Sequence, residues 1–287
     1  MYILTYKISS NELDEKIELL QINDIFNTFY DSPLEITTDD FGYGYLEKQN
    51  EIIDFKVAFE NDFNELEDFK IKVSSLINSE VINIEEINQD YSTYDFPAVH
   101  IDDQWVLAGV DEDFPNKNKI CFVPQGAFGT GLHETTQDLL RLILNSLDLN
   151  NKSVLDIGTG SGILSIASAI IGASEVTALD IRDVRDEVEI NASLNGLYNI
   201  EILVGDALSG EVTVKDKYDW IYINIGGEET AMFMDFIKYH LSPTGKLLVS
   251  GLVTWSYDSV QEKVESYGFT ILEKYQTNEW VTAIFTL

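Results

Sequence analysis

One cysteine, Cys121, stands in 287 residues, so the chain can close no internal disulfide and build no thiolate metal cluster. Histidine is nearly as scarce: His100, His133 and His240 are the only three. No His, Cys and carboxylate residues gather at ligand spacing, so no metal is expected. Long apolar runs are missing too. The longest weakly polar stretch, "GILSIASAIIGA", has 12 residues, too few to cross a bilayer. The first residues, "MYILTYKISS", lack the basic start and apolar core of a secretion signal. Together these absences lead to the expectation of a cytoplasmic protein with no membrane partner.

Positive charge is the strongest deficit. Eighteen Lys and Arg face 50 Asp and Glu, for a formal net charge of −32. Such a surface repels phosphate backbones, so no direct nucleic-acid readout is expected. It attracts a basic protein partner, or it serves solubility alone; composition does not separate the two. What is present is otherwise ordinary for a globular chain: 45% hydrophobic and 24% charged residues, with length enough for two domains.

Residues 1–90 read as a small α+β unit. "YILTYKI" is strand-like, and "NELDEKIELLQIN" puts Leu13, Ile17 and Leu20 on one helical face. "FGYGYLEK" and "IDFKVAFE" are candidate strands, "NELEDFKIKVSSLIN" a helix with Asn64 as N-cap, and "VINIEEI" a closing strand. The order β-α-β-β-α-β is the ferredoxin-like split pattern. Residues 91–113 carry no clean period and read as a connecting linker with room for a short strand or two. From 114 to 287, short apolar runs alternate with helical patterns, which predicts a mostly parallel sheet covered on both faces. The tail, "FTILEKYQTNEWVTAIFTL", predicts an antiparallel hairpin turning near Thr277 and Asn278.

The chemistry concentrates in two glycine-rich stretches. "VLDIGTGSG" runs apolar residues into Asp156, then Gly158, Gly160 and Gly162, then a helix. Glycines at a strand-to-helix turn let a ligand approach the backbone closely. A dinucleotide fingerprint needs its third glycine at position 163, which is Ile163, so the spacing speaks against nicotinamide chemistry. Asp180 ends the next strand pattern, 22 residues after Gly158, where a carboxylate accepts from ribose hydroxyls or caps a helix. Asp206 follows the third strand, as an adenine partner or a plain turn aspartate. Asn224 ends the fourth, with an amide suited to orient an amine or to cap the helix that follows. The second stretch, "GAFGTGLHETT", precedes the first sheet strand by one helix. It is expected to fold over a ligand held at the strand tips, with Phe128 as an apolar cover and the Thr135 and Thr136 hydroxyls near the helix start.

These motifs together resemble the ribosomal protein L11 methyltransferase family. Its pattern is matched by G-x-A-F-G-T-G-x-H-x-T-T, then D-x-G-x-G-S-G, then Asn-Ile at a strand end, with Glu279–Trp280 near the terminus. The resemblance covers essentially the whole chain. It implies a class I methyltransferase fold, Rossmann-like, with a seven-stranded sheet ending in an antiparallel hairpin, behind a ferredoxin-like substrate-recognition domain. It implies transfer of methyl groups from S-adenosylmethionine to lysine side-chain and N-terminal amines of a large-subunit ribosomal protein. The family's cofactor positions fall on Thr136, Gly158, Asp180 and Asn224, and Asn224 is also the catalytic candidate. Three departures stand out. "DIRDVRDE" replaces the usual D-x-D-P, Gly226–Gly227 replace Leu-Ala, and Trp255 and Tyr257 stand where a glutamine is usual. They leave open another protein or a small molecule as acceptor, or a cofactor-binding module without transfer activity. His133 is either a base for the amine or a residue shaping its own turn, and Trp280 either a core aromatic or a wall beside the target.

Overall fold

The computed structural model describes residues 1–23, 25–31, 34–48, 50–59, 63–87, 96–215 and 217–287. It divides into two compact units, Met1–Thr38 with Tyr43–Tyr94, and Asp39–Gly42 with Asp95–Leu287.

The first unit comprises β1 (Tyr2–Ser9), α1 (Leu13–Ile22), β2 (Thr28–Tyr30), β3 (Leu34–Asp39), β4 (Gly42–Glu47), β5 (Ile52–Phe59), α2 (Leu66–Ile77) and β6 (Val81–Glu86). Its sheet order is β2-β5-β1-β6, with antiparallel neighbours throughout. Alternation on β1 sends Leu4, Tyr6 and Ile8 to one face, where they meet Leu13 and Leu20 of α1 and Val73 and Ile77 of α2. This is the ferredoxin-like order, with one change from the sequence reading. The second core strand is Thr28–Tyr30, which pairs with β5, whereas "FGYGYLEK" falls on β4 of a separate two-stranded hairpin with β3. The hairpin side chains Ile36 and Tyr45 are exposed, so no burial draws them into the main sheet. Asn64 is likewise not the cap of α2. It lies in a 3-10 turn, Phe63–Glu65, and α2 starts after Glu65 with no side-chain cap.

Of the expected linker 91–113, residues 91–95 lie outside the described residues. The remainder belongs to the second unit. β7 (Val99–His100), β8 (Trp105–Ala108) and β9 (Asn118–Cys121) form a three-stranded sheet. Phe96, Val99, Ile101 and Leu107 are buried in the same core as the helices that follow, which fixes the segment in place.

The large sheet then forms from β10 (Ser153–Ile157), β11 (Glu175–Asp180), β12 (Ile200–Val204), β13 (Tyr218–Ile223), β14 (Leu241–Val253), β15 (Thr270–Thr277) and β16 (Trp280–Thr286). Helix α3 (Glu134–Asn145) precedes it, and α4 (Ile163–Ile170), α5 (Arg185–Leu194), α6 (Gly227–His240) and α7 (Tyr257–Ser266) are interleaved. The strand order is β12-β11-β10-β13-β14-β16-β15, parallel except for β16, which runs antiparallel to both neighbours. The sequence shows why both faces are covered. Val154, Trp220, Tyr222, Leu248 and Ile284 join a core with α3 and α4, while their chain neighbours Leu155, Ile221, Ile223, Leu247 and Phe285 join a core with α6 and α7. A strand buried on both sides must be apolar at most positions, and these are, with Asp156 and Thr177 among the buried exceptions. The last turn falls at Asn278, whose φ of 52° is a left-handed conformation that asparagine tolerates.

Leu155 is fully buried at the centre of this sheet. Leu155→Ala is expected to cost about 2–5 kcal/mol of stability, read as a lower midpoint in urea denaturation.

Candidate functional site

Register places the expected residues together. Ile157 of β10 lies beside Leu179 of β11 and Ile223 of β13, so the segments just beyond, at Gly158, Asp180 and Asn224, emerge side by side. This is the carboxyl end of a parallel sheet at the point where strand order reverses, the usual ligand position in such folds.

The loop after β10 holds Gly158, Gly160 and Gly162 at φ of 71°, 54° and 78°. All three also have no room for a side chain: a Cβ would stand 2.5 Å from Ile225 on Gly158, 2.4 Å from the Phe128 carbonyl oxygen on Gly160, and 2.8 Å from Val188 on Gly162. Every backbone N–H of the loop is already used. Gly158 and Thr159 donate to the Leu179 carbonyl, Ser161 to the Phe128 carbonyl and Gly162 to the Thr159 carbonyl. Gly160 donates to Asp180 Oδ2 at 2.9 Å. A loop with no spare donor and two carboxylates at its base is a poor host for a pyrophosphate. It suits a neutral nucleoside or a cation.

The first carboxylate, Asp156, is 1% exposed under the loop and accepts from Thr159 Oγ1 and Ser165 Oγ, each at 2.8 Å. Burial pushes its carboxyl up to about 6, against the two hydroxyl bonds, and the nearby Asp180 charge adds to the rise. The second, Asp180, is 7% exposed; its other oxygen takes the Arg182 N–H, and the Arg182 side chain stands 4.0 Å away. Arg182 occupies the place where the family pattern has its second aspartate.

The second glycine stretch answers why there are two. Its Phe128 and Gly129 carbonyls lie on the first loop, accepting from the Ser161 N–H and Ser161 Oγ, both at 2.9 Å. Gly126–Thr130, His133 and Arg182 line an open cavity of about 510 Å³, within the ordinary range for a small-molecule site. Phe128, 57% exposed, rests against the His133 ring at 5.6 Å, and His133 meets Trp280 edge-on at 4.7 Å. His133 also caps α3: Nδ1 accepts from the Thr135 N–H and lies 2.8 Å from Thr135 Oγ1. That nitrogen therefore shapes the turn.

Two polar atoms are buried with no partner at this end of the sheet, Thr136 Oγ1 in the first turn of α3 and Asn224 Oδ1 at the tip of β13. An unsatisfied buried acceptor costs about 1–3 kcal/mol, which a ligand donor recovers. Asp206 sits apart, in the turn after β12, two strands out from β10, with its carboxylate taken by the Leu208 N–H. Sequence reading did not single out Thr159, Ser161 and Ser165, which tie the loop to Asp156 and to the second glycine stretch. The signal was there: three hydroxyl residues interleave the glycines and the first turn of α4. Among the described residues no group of His, Cys and carboxylates is placed to hold a metal. No described helix is long and apolar enough to cross a membrane.

The family model described as ribosomal protein L11 methyltransferase (PrmA) matches residues 14–287. A protein of Fusobacterium nucleatum subsp. nucleatum named ribosomal protein L11 methyltransferase is 32% identical over 278 residues, covering 95% of this chain and 82% of that one. A Streptococcus thermophilus protein of the same name is 31% identical, covering 95% and 86%. The crystal structure of a ribosomal protein L11 methylase from Lactobacillus delbrueckii subsp. bulgaricus aligns with a TM-score of 0.60 at 30% identity, covering 67% of this chain and 98% of that one.

Two outcomes follow. Because the folded Asp156 holds its proton up to about pH 6, its stabilising contribution is complete below about pH 4 and is lost as pH rises through about 6. The stability of the wild type minus that of Asp156→Asn is expected to fall by about 2 kcal/mol between pH 4 and pH 7, measured by chemical denaturation. Gly160→Ala is expected to push the Phe128 carbonyl off the loop, costing more than about 1 kcal/mol and opening residues 126–131 to limited proteolysis.

Proposed function

The chain belongs to the ribosomal protein L11 methyltransferase family, and on that premise we propose that it methylates lysine side-chain and N-terminal amines of ribosomal protein L11. As in the family, it is an S-adenosylmethionine-dependent methyltransferase of the class I fold. The observation that carries the amine reading is the orphaned Asn224 Oδ1. It is a buried, neutral acceptor beside the glycine loop, and an amine N–H is the donor it lacks.

The residues present fit the cofactor. Thr136, Gly158, Asp180 and Asn224 surround the strand tips, with Asp156 holding the loop from below and Gly160, Gly162, Thr135 and Phe128 completing the cradle. Asp206 is the outermost member of the set, an adenine-side partner that directly follows Gly205, whose N–H ties the end of β12 to the Asp180 carbonyl. S-Adenosylmethionine supplies a methyl group already activated on a sulfonium, a cation suited to a loop backed by two carboxylates.

The protein's task is then positioning. Asn224 accepts an N–H of the entering amine and aims its lone pair, a role that adds no charge of its own. The amine arrives with a reference pKa near 10.4 and must shed a proton, and His133 Nδ1 is not available to take it, being bound to the Thr135 N–H. The proton therefore leaves to water at the cavity mouth. Phe128, His133 and Trp280 line the approach with aromatic surface, which excludes water from the methyl and favours a cationic product.

The first unit is the substrate-recognition domain. It carries exposed Phe29, Ile36, Tyr43 and Tyr45 on β2, β3 and β4, an apolar aromatic surface of the kind that protein partners cover. A net charge of −32 draws a basic ribosomal protein and repels RNA, and the reaction takes place in the cytoplasm.

The test is transfer of labelled methyl from S-adenosylmethionine to ribosomes of a strain lacking the protein, with modified residues mapped by mass spectrometry. Label confined to lysine and N-terminal amines of L11 is expected. Label on another protein, or none despite cofactor binding, overturns the reading. Asn224→Ala is expected to lower kcat by about a hundredfold, the usual scale for one lost polar contact in a reacting site.

A further inference from the structure

The strand that leads into the second glycine stretch is held in an unusual way. From Cys121 to Ala127, with a bend at Gly126 (φ of 112°), alternate backbone N–H groups face α5 and the turn just beyond it. The Cys121 N–H donates to Asn195 Oδ1 at 2.9 Å, while Asn195 Nδ2 donates back to the Cys121 carbonyl at 2.8 Å. The same exchange joins Val123 with Asn191, at 2.8 and 3.2 Å. At the far end the pattern changes. Gln125 and Ala127 both donate N–H to Glu187, one to each carboxylate oxygen, at 3.2 and 3.1 Å. Glu187, Asn191 and Asn195 are spaced four apart, one stripe of α5 and its C-terminal cap, and the strap's period of two matches that rise.

The chemistry of each rung follows from what the strap offers. A carboxamide has one donor and one acceptor, and meets a residue that presents both N–H and C=O. A carboxylate has two acceptors, and meets two N–H groups. Pro124 stands at a position facing away from the helix, where its missing N–H costs nothing. Glu187 is 8% exposed and has no cationic partner among its bonds; the two backbone amides are what satisfy it. One residue after Glu187, Val188 packs against Ala127 and fills the space beside Gly162. One residue after Ala127, the Phe128 carbonyl lands on Ser161.

We propose that Glu187 is a positioning residue: it sets the height at which the Phe128–Gly131 loop lies on the glycine loop, and so fixes the cofactor-competent form before ligand arrives. This deepens, and rests on, the reading that the two loops form the cofactor cradle. A loop already in place costs the ligand no ordering, whereas a loop in place only a fraction of the time weakens apparent affinity by that fraction. Asn195 lies at the opposite end of the ladder, eight residues away along the chain, and serves stability alone.

The experiment compares wild type, Glu187→Gln and Asn195→Ala for S-adenosylmethionine KM, kcat at saturating cofactor, and urea midpoint. Glutamine keeps the shape but turns an NH2 toward a strap N–H. The expected result for Glu187→Gln is a cofactor KM raised about tenfold with kcat within about twofold of wild type. Asn195→Ala is expected to lower the urea midpoint while its KM stays within about twofold. Equal KM shifts in both variants, or none in Glu187→Gln while wild type binds normally, overturn the proposal. Wild type that binds no cofactor overturns the cradle reading instead. In that event hydrogen exchange at Gly129 and Gly131 still decides the positioning role: faster exchange in Glu187→Gln supports it, and unchanged exchange removes it.

Discussion

The second unit turns on one contact, the Phe128 carbonyl resting on the Ser161 N–H above a glycine that has no room for a Cβ. It joins two loops 30 residues apart in the chain into one surface. Beneath it the glycine loop has spent all five of its N–H groups on the protein itself, and Asp156 and Asp180 place negative charge at its base. The same fold, with free loop amides at a helix N-terminus, is a phosphate cradle. Here the satisfied amides and the carboxylates reverse its preference. A sulfonium nucleoside is the complementary ligand, and the chemistry of methyl transfer follows from that choice.

Burial makes this arrangement rigid. The strands below are largely apolar, because both faces are covered, with a few buried hydroxyls such as Thr177 and Thr282 among them. Asp156 is the buried carboxylate among them, near the carboxyl end of the interior strand β10, and its proton is held more tightly than in water. Its two hydroxyl partners hold the glycine loop down, so that the loop's height is fixed from below by Thr159 and Ser165 and from above by the strap. Asn224 Oδ1 and Thr136 Oγ1 are among the buried polar atoms left unmatched in the described residues, and both belong to the carboxyl end of the sheet. Rigid walls with a few unmatched atoms are what preorganised positioning requires.

Much of this was legible in the chain. Short, mostly apolar runs such as "VLDIG" and "YINI" pointed to the buried parallel strands, and the glycine spacing with Ile163 separated the loop from a dinucleotide site. The order of the small domain was legible as well, but its second strand was misplaced. "FGYGYLEK" has the alternation of a strand and does form one, yet only pairing partners decide which sheet it joins, and three residues at Thr28–Tyr30 took that position. Residues 96–113 were read as linker because short strands and turns leave no period, whereas their burial comes from helices far along the chain. The ladder from Glu187 to Asn195 was hidden for a related reason. Polar residues on a buried helical stripe look like solvent-facing ones until the strap that satisfies them is in place.

Titration calorimetry on the wild-type protein tests the central claim most directly, with S-adenosylmethionine, S-adenosylhomocysteine and a reduced nicotinamide dinucleotide as separate ligands. The expected result is saturable binding of the first two and none of the third, because the glycine loop offers no amide to a pyrophosphate. Binding of the dinucleotide, or failure of both adenosyl ligands to bind, would contradict the assignment of the loop pair as a methyl-donor cradle.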